Sequence, residues 1–169
     1  MLCIMMNSLR LYSPKKVNGY VQPLITYLGL DASEVAFLSI SKPHGFVPER
    51  NNCHLNVWCQ LRELGGSAQH GWQIAHDPRH KFSEAIFHTV WKTDRGALMD
   101  ITPRADGEKV IMFVPDHNRS IALVPDSGSP AINSFSNVKV LAGQVVEPLR
   151  SIQIVMQSDF AQRHGLWPW

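Results

Sequence analysis

The spacing of apolar residues changes at Gly65-Gly66, and this change constrains the fold more than any other feature of the chain. Before the two glycines, residues at steps of four, four and three predict one inward-facing side of a helix over 53–64: Cys53, Val57, Leu61 and Leu64. Asn51 or Asn52 is expected to cap the start of this helix, because an Asn side chain accepts a hydrogen bond from a free backbone N–H. The glycines are expected to end it, because glycine adopts the left-handed conformation without penalty.

After the glycines, apolar and polar residues alternate, which is typical of strands. The predicted strands are His70 to Ile74, Ser83 to Lys92, Ala97 to Thr102 and Val110 to Val114. Between the second and the third lies Thr93-Asp94-Arg95-Gly96, a sequence that favours a hairpin turn. We therefore expect the strands on either side of this turn to pair with each other.

The flanking segments are less regular. The predicted elements are a helix over 20–30 with Pro23 in its first turn, strands over 35–40, 121–124 and 138–146, loops over 42–52 and 126–136, and a helix over 152–163. The aromatic end, Leu166 to Trp169, is expected either to dock on the body or to bind a partner. A run of strands between helices indicates a single α+β domain over 1–169, in which a helix bearing an N-terminal Cys packs on an antiparallel sheet.

Composition narrows the function classes. Hydrophobic residues make up 44% of the 169 and charged residues 18%, which suits a packed core better than disorder. The net charge is +2 and no long basic run occurs, so nucleic acid and anionic membranes are not indicated as partners. No transmembrane segment or signal peptide is predicted. Three widely spaced cysteines favour reduced thiols in the cytoplasm, and export without a signal peptide stays open.

Cys53 is the first candidate for chemistry. At a helix start, unpaired N–H groups create a partial positive charge that favours the thiolate, which is the nucleophilic form. The same N–H groups could stabilise an oxyanion, with Asn51 or Asn52 as a weaker candidate to assist.

His88 and Asp100 are the candidates to assist the thiolate. His88 lies in the middle of a predicted strand, where it would be fixed in position as a general base. Asp100 lies across the hairpin and would orient the imidazole if the strand register pairs the two residues or offsets them by two. A slip by one residue would put them on opposite faces. Cys, His and Asp supplied in this way form the triad used in acyl transfer.

The segment over about 50–115 resembles the papain-like superfamily in its compact form, as in NlpC-type peptidases and transglutaminase-like domains. The resemblance rests on Asn51-Asn52-Cys53-His54, on Glu84 to Trp91 with its Phe-His-Thr-Val-Trp ending, and on Leu98 to Pro103 with its Asp-Ile-Thr-Pro ending. The same pattern resembles uncharacterised bacterial and phage proteins. The papain-type glutamine ahead of the Cys has no obvious counterpart, and His54 stands where a Trp is usual.

The resemblance implies a cysteine hydrolase or acyltransferase that acts on amide, isopeptide or thioester bonds of a peptide, a protein or a small amide, without a cofactor. His54, Glu84 and Trp72 are weaker candidates for substrate binding. Two alternatives stay open. The chain could be a non-catalytic binding or effector module that retains the fold. It could also bind a metal through Cys53, His54, His88 and either Asp100 or Glu84, which are all ligand types.

Overall fold

The computed structural model describes residues 9–124, 131–155 and 159–165. Its helices are α1 (Gln22–Leu28), α2 (Cys53–Leu64) and α3 (Asp159–Arg163), with short 3-10 turns at Ala32–Glu34 and Pro78–His80. Its strands are β1 (Ala36–Ser39), β2 (Ser67–Asp77), β3 (Phe82–Lys92), β4 (Leu98–Met99), β5 (Val110–Pro115), β6 (Ala122–Leu123), β7 (Ala131–Phe135), β8 (Val138–Leu141), β9 (Gln144–Glu147) and β10 (Ser151–Val155).

The strands form a large and a small antiparallel sheet. In the large sheet the order is β1-β5-β2-β3-β8-β9, with β4 also paired to β3. In the small sheet the order is β10-β7-β6. Mixed helices and antiparallel sheets confirm the α+β class predicted from the sequence.

Three apolar clusters hold the layers together. On one face of the large sheet, α1 packs over Trp72, Ile74 and Phe87. On the opposite face, Leu38, Val90, Ile111 and Phe113 pack with one another. The third cluster joins α2 to the small sheet and α3 through Leu55, Cys59, Ile132 and Ala161. Helix α2 is thus held between the edge of the large sheet and the smaller layer.

The burial of α2 differs from the sequence prediction. The first two turns are almost entirely buried, whereas Leu64, predicted to face inward, is 50% exposed. Burial therefore follows position along the helix more than one face of it, because only the start of α2 is surrounded by protein. The predicted Asn cap is also wrong: Asn52 occupies the N-cap position without a side-chain capping bond, and its amide instead donates to Glu49 Oε2 at 2.6 Å.

The C-terminal third departs most from the predicted elements. The single strand expected over 138–146 is a hairpin of β8 and β9, turned by Ala142 and Gly143, which both have positive φ. The helix expected over 152–163 is wrong over its first part, where β10 pairs with β7. Strand β7 lies entirely within the predicted loop over 126–136, so that prediction is wrong there. The aromatic end over 166–169 lies outside the described residues.

Among the described residues, no helix is both long and apolar enough to cross a membrane.

Candidate active site

The hairpin between β3 and β4 brings His88 and Asp100 to one side of the sheet. Trp91 pairs with Met99 and Lys92 with Leu98, so the same register continued would set Asp100 opposite Val90. This is the offset by two that the sequence analysis required for a shared face. The turn is closed by hydrogen bonds from Thr93 N to Ala97 O (2.9 Å) and from Gly96 N to Thr93 O (2.8 Å).

Asp100 is a buried carboxylate that faces the His88 imidazole. His88 Nε2 lies 3.2 Å from Asp100 Oδ1, and the two side chains are 7% and 1% exposed. The distance is that of an ion pair, although His88 Nε2 makes no hydrogen bond to the described residues. Asp100 Oδ1 also accepts from Thr102 N at 2.9 Å, and Ser41 N donates to Asp100 O at 2.8 Å. The first bond orients the carboxylate, and the second fixes the backbone of Asp100.

Cys53 approaches His88 from the open edge of β3. Residues 82–85 of β3 pair with β8 and residues 91–92 pair with β4, which leaves 86–90 without a strand on that side among the described residues. The start of α2 occupies this position. The Cys53 sulfur interacts electrostatically with the His88 imidazole, and each group favours the charged form of the other. Because Nε2 faces Asp100, Nδ1 is the nitrogen left for the thiol.

The environment favours a thiolate on Cys53 and a proton on His88. Burial alone raises the pKa of the Cys53 thiol, but the imidazoles of His54 and His88 outweigh it and hold the pKa well below its ordinary value of 9.0. Burial likewise acts to lower the pKa of His88, but Asp100 and Cys53 outweigh it and raise the pKa from 6.5 to about 10. The pair is therefore a thiolate and an imidazolium at neutral pH.

His54, a weaker candidate in the sequence analysis, also lies beside Cys53, and its imidazole acts to lower the pKa of the thiol. Its ring is 8% exposed, and His54 Nδ1 lies 2.5 Å from Thr89 Oγ1. Thr89 Oγ1 also lies 2.9 Å from His70 Nδ1, and burial lowers the pKa of His70 to about 4. A hydroxyl has one proton, so Thr89 donates to one ring nitrogen and accepts from the other. This hydroxyl fixes the orientation of His54 beside Cys53.

The neighbouring residues His88 and Thr89 point to opposite faces of β3, as strand geometry requires. Cys53 contacts His88 on one face, and His54 contacts Thr89 on the other. The first turn of α2 therefore straddles the edge of the strand. Two adjacent helix residues, which project about 100° apart, can in this way both reach β3.

Asn56 ties the nucleophile to the carboxylate, and the sequence analysis did not select it. The side chain is fully buried one turn after Cys53. Asn56 Nδ2 donates to Glu49 O (2.8 Å) and to Thr102 Oγ1 (3.3 Å), and Asn56 Oδ1 accepts from Glu49 N (3.0 Å). It connects α2, the loop before Cys53 and the segment after Asp100. No local sequence pattern distinguishes this Asn from a solvent-exposed one.

Gly71 is a second residue that the sequence analysis missed. It lies opposite His88 on β2, and a Cβ there would lie 2.5 Å from the Phe113 ring. The Phe113 ring stands edge-on to the His88 ring, with centroids 6.4 Å apart. The absence of a side chain at Gly71 lets Phe113 reach this position. A glycine inside an otherwise regular strand was the available signal.

A cavity of about 360 Å³ opens beside the Cys–His pair. Its lining contains Cys53, His88 and Asp100 together with Asn51, Gln73, Ile86, Phe87, Thr102, Pro103, Arg104, Ala105 and Asp106. The guanidinium among these lining residues belongs to Arg104. It forms an ion pair with Asp106, and Arg104 Nη2 also lies 3.6 Å from Glu108 Oε2. The cavity thus brings the Cys53 thiol and the His88 imidazole together in one lining, with little free positive charge from Arg104.

The structure separates the weaker site candidates. Asn51 lines the cavity and has a φ of 61°, whereas Asn52 is absent from the lining and is bonded to Glu49. Trp72 is fully buried in the α1 cluster, where its indole N–H donates to Asp116 Oδ2 at 2.8 Å. Glu84 is also buried, and it accepts from Asn137 Nδ2 at 2.9 Å, away from the cavity lining. Trp72 and Glu84 therefore contribute to the packing and hydrogen bonding of the interior.

Cys59, the other cysteine of α2, has a different environment. It is buried between α2 and the small sheet, and burial raises the pKa of its thiol to about 11. Cys59 therefore stays a neutral thiol at neutral pH, which distinguishes it chemically from Cys53.

Within residues 9–124, 131–155 and 159–165, no group of three or more His, Cys, Asp or Glu side chains is arranged to hold a metal ion.

Comparisons with known proteins identify no relative: no family model matches the chain, and neither do curated proteins or solved structures.

Proposed function

We propose that this protein is a cysteine-dependent hydrolase or acyltransferase that acts on amide, isopeptide or thioester carbonyls. The observation that carries the proposal is the contact of the Cys53 thiol with His88, whose Nε2 lies 3.2 Å from Asp100, at the wall of a cavity. Structural cysteines in an apolar interior have raised pKa values, as Cys59 does. The opposite shift at Cys53 favours a chemical role.

In the proposed reaction, the Cys53 thiolate attacks the substrate carbonyl carbon and the carbonyl electron pair moves onto oxygen. His88 then gives its proton to the leaving nitrogen or sulfur as that bond breaks, which leaves an acyl group on Cys53. A second nucleophile, water or an amine, loses its proton to His88 and releases the acyl group. Asp100 stabilises the imidazolium through both steps.

We further propose that α2 and the strands around β3 form a papain-like core. The placement of a Cys at a helix start, of a His within a strand and of an Asp beside the next strand supports this relation. Two departures set the chain apart from the usual pattern. The N-cap residue Asn52 is bonded to Glu49, and His54 contacts Cys53 from the opposite face of β3.

The first test is the pH dependence of Cys53 alkylation by iodoacetamide, followed by mass spectrometry. Wild-type Cys53 should react with an apparent pKa well below the free-thiol value of about 8.5, because His88 stabilises the thiolate. His88→Ala should raise that apparent pKa. Cys59 is an internal control on the same helix and should stay unreactive until the protein unfolds. A Cys53 that reacts no faster than Cys59 would remove the basis for the proposal.

A non-catalytic binding module is the second candidate, and one observation favours it. A larger groove of about 800 Å³ shares Pro103 and Arg104 with the catalytic cavity but does not include Cys53. Val47, in its lining, is 82% exposed. If Cys53 proves unreactive in the alkylation experiment, this groove becomes the leading functional surface of the chain.

A further inference from the structure

We infer that Gln73 donates a hydrogen bond to the substrate's carbonyl oxygen and stabilises the oxyanion that forms there. This inference rests on the proposed function and identifies a residue on β2, outside the three positions expected from the sequence. It follows from a residue that lines the cavity and whose buried amide nitrogen has no partner within the part of the chain that the structure describes.

Gln73 Nε2 has no hydrogen-bond partner among the described residues, although the side chain is only 4% exposed. A buried donor without an acceptor costs free energy, so native structures keep few of them, and each needs an explanation. The side chains directly opposite Gln73 in the sheet cannot supply the acceptor. It lies between Ile86 on β3 and Phe113 on β5, whose side chains are hydrocarbon.

The register places Gln73 on the same face as His88. Gly71 lies opposite His88, and Gln73 is two residues further along β2, opposite Ile86. Residues in this diagonal relation are about 7–8 Å apart, which a Gln side chain can span. Gln73 and Cys53 also line the same cavity. An acyl group attacked by Cys53 therefore lies within reach of the Gln73 amide.

The chemistry of the step explains why such a donor accelerates it. As the S–C bond forms, the carbonyl π pair moves to oxygen, and the negative charge there strengthens a hydrogen bond from Nε2. When the pair returns, the bond to the leaving group breaks and the thioester on Cys53 remains. The hydrogen bond from Nε2 is stronger to the oxyanion than to the ground-state carbonyl oxygen, so it lowers the activation free energy of the attack.

The test compares two reactions of the same thiolate, of which only one forms an oxyanion. p-Nitrophenyl acetate acetylates Cys53 through a tetrahedral intermediate and releases p-nitrophenolate. Iodoacetamide alkylates Cys53 by displacement of iodide at a methylene carbon. Both reactions are measured at Cys53 by mass spectrometry, with Cys53→Ala as the background. Gln73→Met replaces the amide with a hydrocarbon side chain of similar length.

Gln73→Met should slow acetylation by about 10²–10³-fold, the usual effect of losing one oxyanion donor, and leave alkylation unchanged. Gln60→Met is the matched control, because Gln60 is equally buried, lies on α2 and does not line the cavity. It should change neither rate.

The outcomes separate this inference from the proposed function. Equal loss of both reactions in Gln73→Met would indicate a purely structural role and overturn the inference, and so would acetylation at the wild-type rate. If wild-type Cys53 reacts with neither reagent faster than an ordinary thiol, the proposed function itself fails, and the role of Gln73 fails with it.

Discussion

At the scale of single residues, the buried carboxylate of Asp100 is what keeps a proton on His88 and, through it, a thiolate on Cys53. Burial alone would act in the opposite direction on both groups, since it favours their neutral forms. The two charges exist because each is the other's partner and because Asp100 lies 3.2 Å from the imidazole.

Asp100→Asn should therefore raise the apparent pKa for Cys53 alkylation by about 1–3 units, the range expected for loss of an adjacent opposite charge. The imidazolium loses its carboxylate partner and holds its proton less firmly, so it stabilises the thiolate less. The measurement is the iodoacetamide pH profile by mass spectrometry.

Asp106→Asn is the control for that substitution. It removes a carboxylate from the same cavity, but one that is paired with Arg104. It should not raise the apparent pKa of Cys53. Equal upward shifts in the two variants would contradict a specific role for Asp100.

At the scale of elements, the position of α2 against β3 decides whether Cys53 can reach His88. The end of the helix is held by the Trp91 indole, whose N–H donates to Gly65 O at 2.9 Å. Gly66 passes so close to this indole that an added Cβ would lie 2.6 Å from Trp91 Nε1. The helix is thereby fixed to the C-terminal end of the strand that bears His88.

Gly66→Ala should destabilise the protein more than Gly65→Ala, by about 1–3 kcal/mol, which is typical of overpacking. Both glycines have positive φ, so both variants carry backbone strain. An added Cβ at Gly65 would meet Asp94 Oδ2 at 3.8 Å, which is an ordinary contact. The difference in free energy of unfolding, measured by urea denaturation, isolates the close approach of Gly66 to the Lys92 carbonyl oxygen and the Trp91 indole. Equal losses of unfolding free energy in the two variants would mean that the α2–β3 junction accommodates the added methyl group without extra cost.

The sequence predicted elements well where one periodicity extends between clear stop signals. The helix over 53–64 lies between Asn52 and Gly65-Gly66 and has the predicted bounds. The helix over 152–163 was wrong over its first part, because a strand and a short helix follow each other within a few residues there. Ile152 and Ile154 show a spacing of two, which belongs to the strand, but pairing with β7 was needed to stabilise it.

At the scale of the whole molecule, the pKa shifts of Cys53 and His88 predict that folding transfers a proton from the thiol to the imidazole without net uptake. With ordinary pKa values of 6.5 for His and 9.0 for Cys, the unfolded chain between these pH values holds one proton, on sulfur. The folded pair also holds one, on the imidazole. Equal proton numbers mean that this pair contributes no pH dependence to stability between about pH 6.5 and 9.

Outside that pH range the pair makes the free energy of unfolding depend on pH, in a defined direction on each side. Below about pH 6.5 the unfolded His takes up a second proton before the folded thiolate does, so stability falls as the pH falls. Above about pH 9 the unfolded thiol loses its proton, while the folded imidazolium keeps its proton until about pH 10, so stability falls as the pH rises.

Cys53→Ala should make stability depend on pH in the range from about 6.5 to 9, where the intact pair contributes no pH dependence. The variant keeps Asp100, so the pKa of folded His88 stays above its unfolded value, and the folded state now binds the extra proton. Its free energy of unfolding should fall with rising pH above 6.5 by about 1 kcal/mol per pH unit relative to the wild type. His70 has a lowered pKa, so it affects stability only below about pH 6.5. It is present in both proteins, so its contribution cancels in the comparison. Parallel urea-denaturation profiles from pH 6.5 to 9 would contradict the proton transfer.

The sequence by itself determined the local features: the helix that begins at Cys53, the hairpin that carries His88 toward Asp100, and the α+β class. Each depends on periodicity, turn residues or glycine stops, which act between residues close together in the chain. Only the tertiary structure decided that α2 meets the open edge of β3, that His54 lies beside Cys53, and that Gln73 lines the cavity with an amide nitrogen unpaired among the described residues. These features depend on packing between residues far apart in sequence, and no local propensity encodes which neighbours a buried polar group will have.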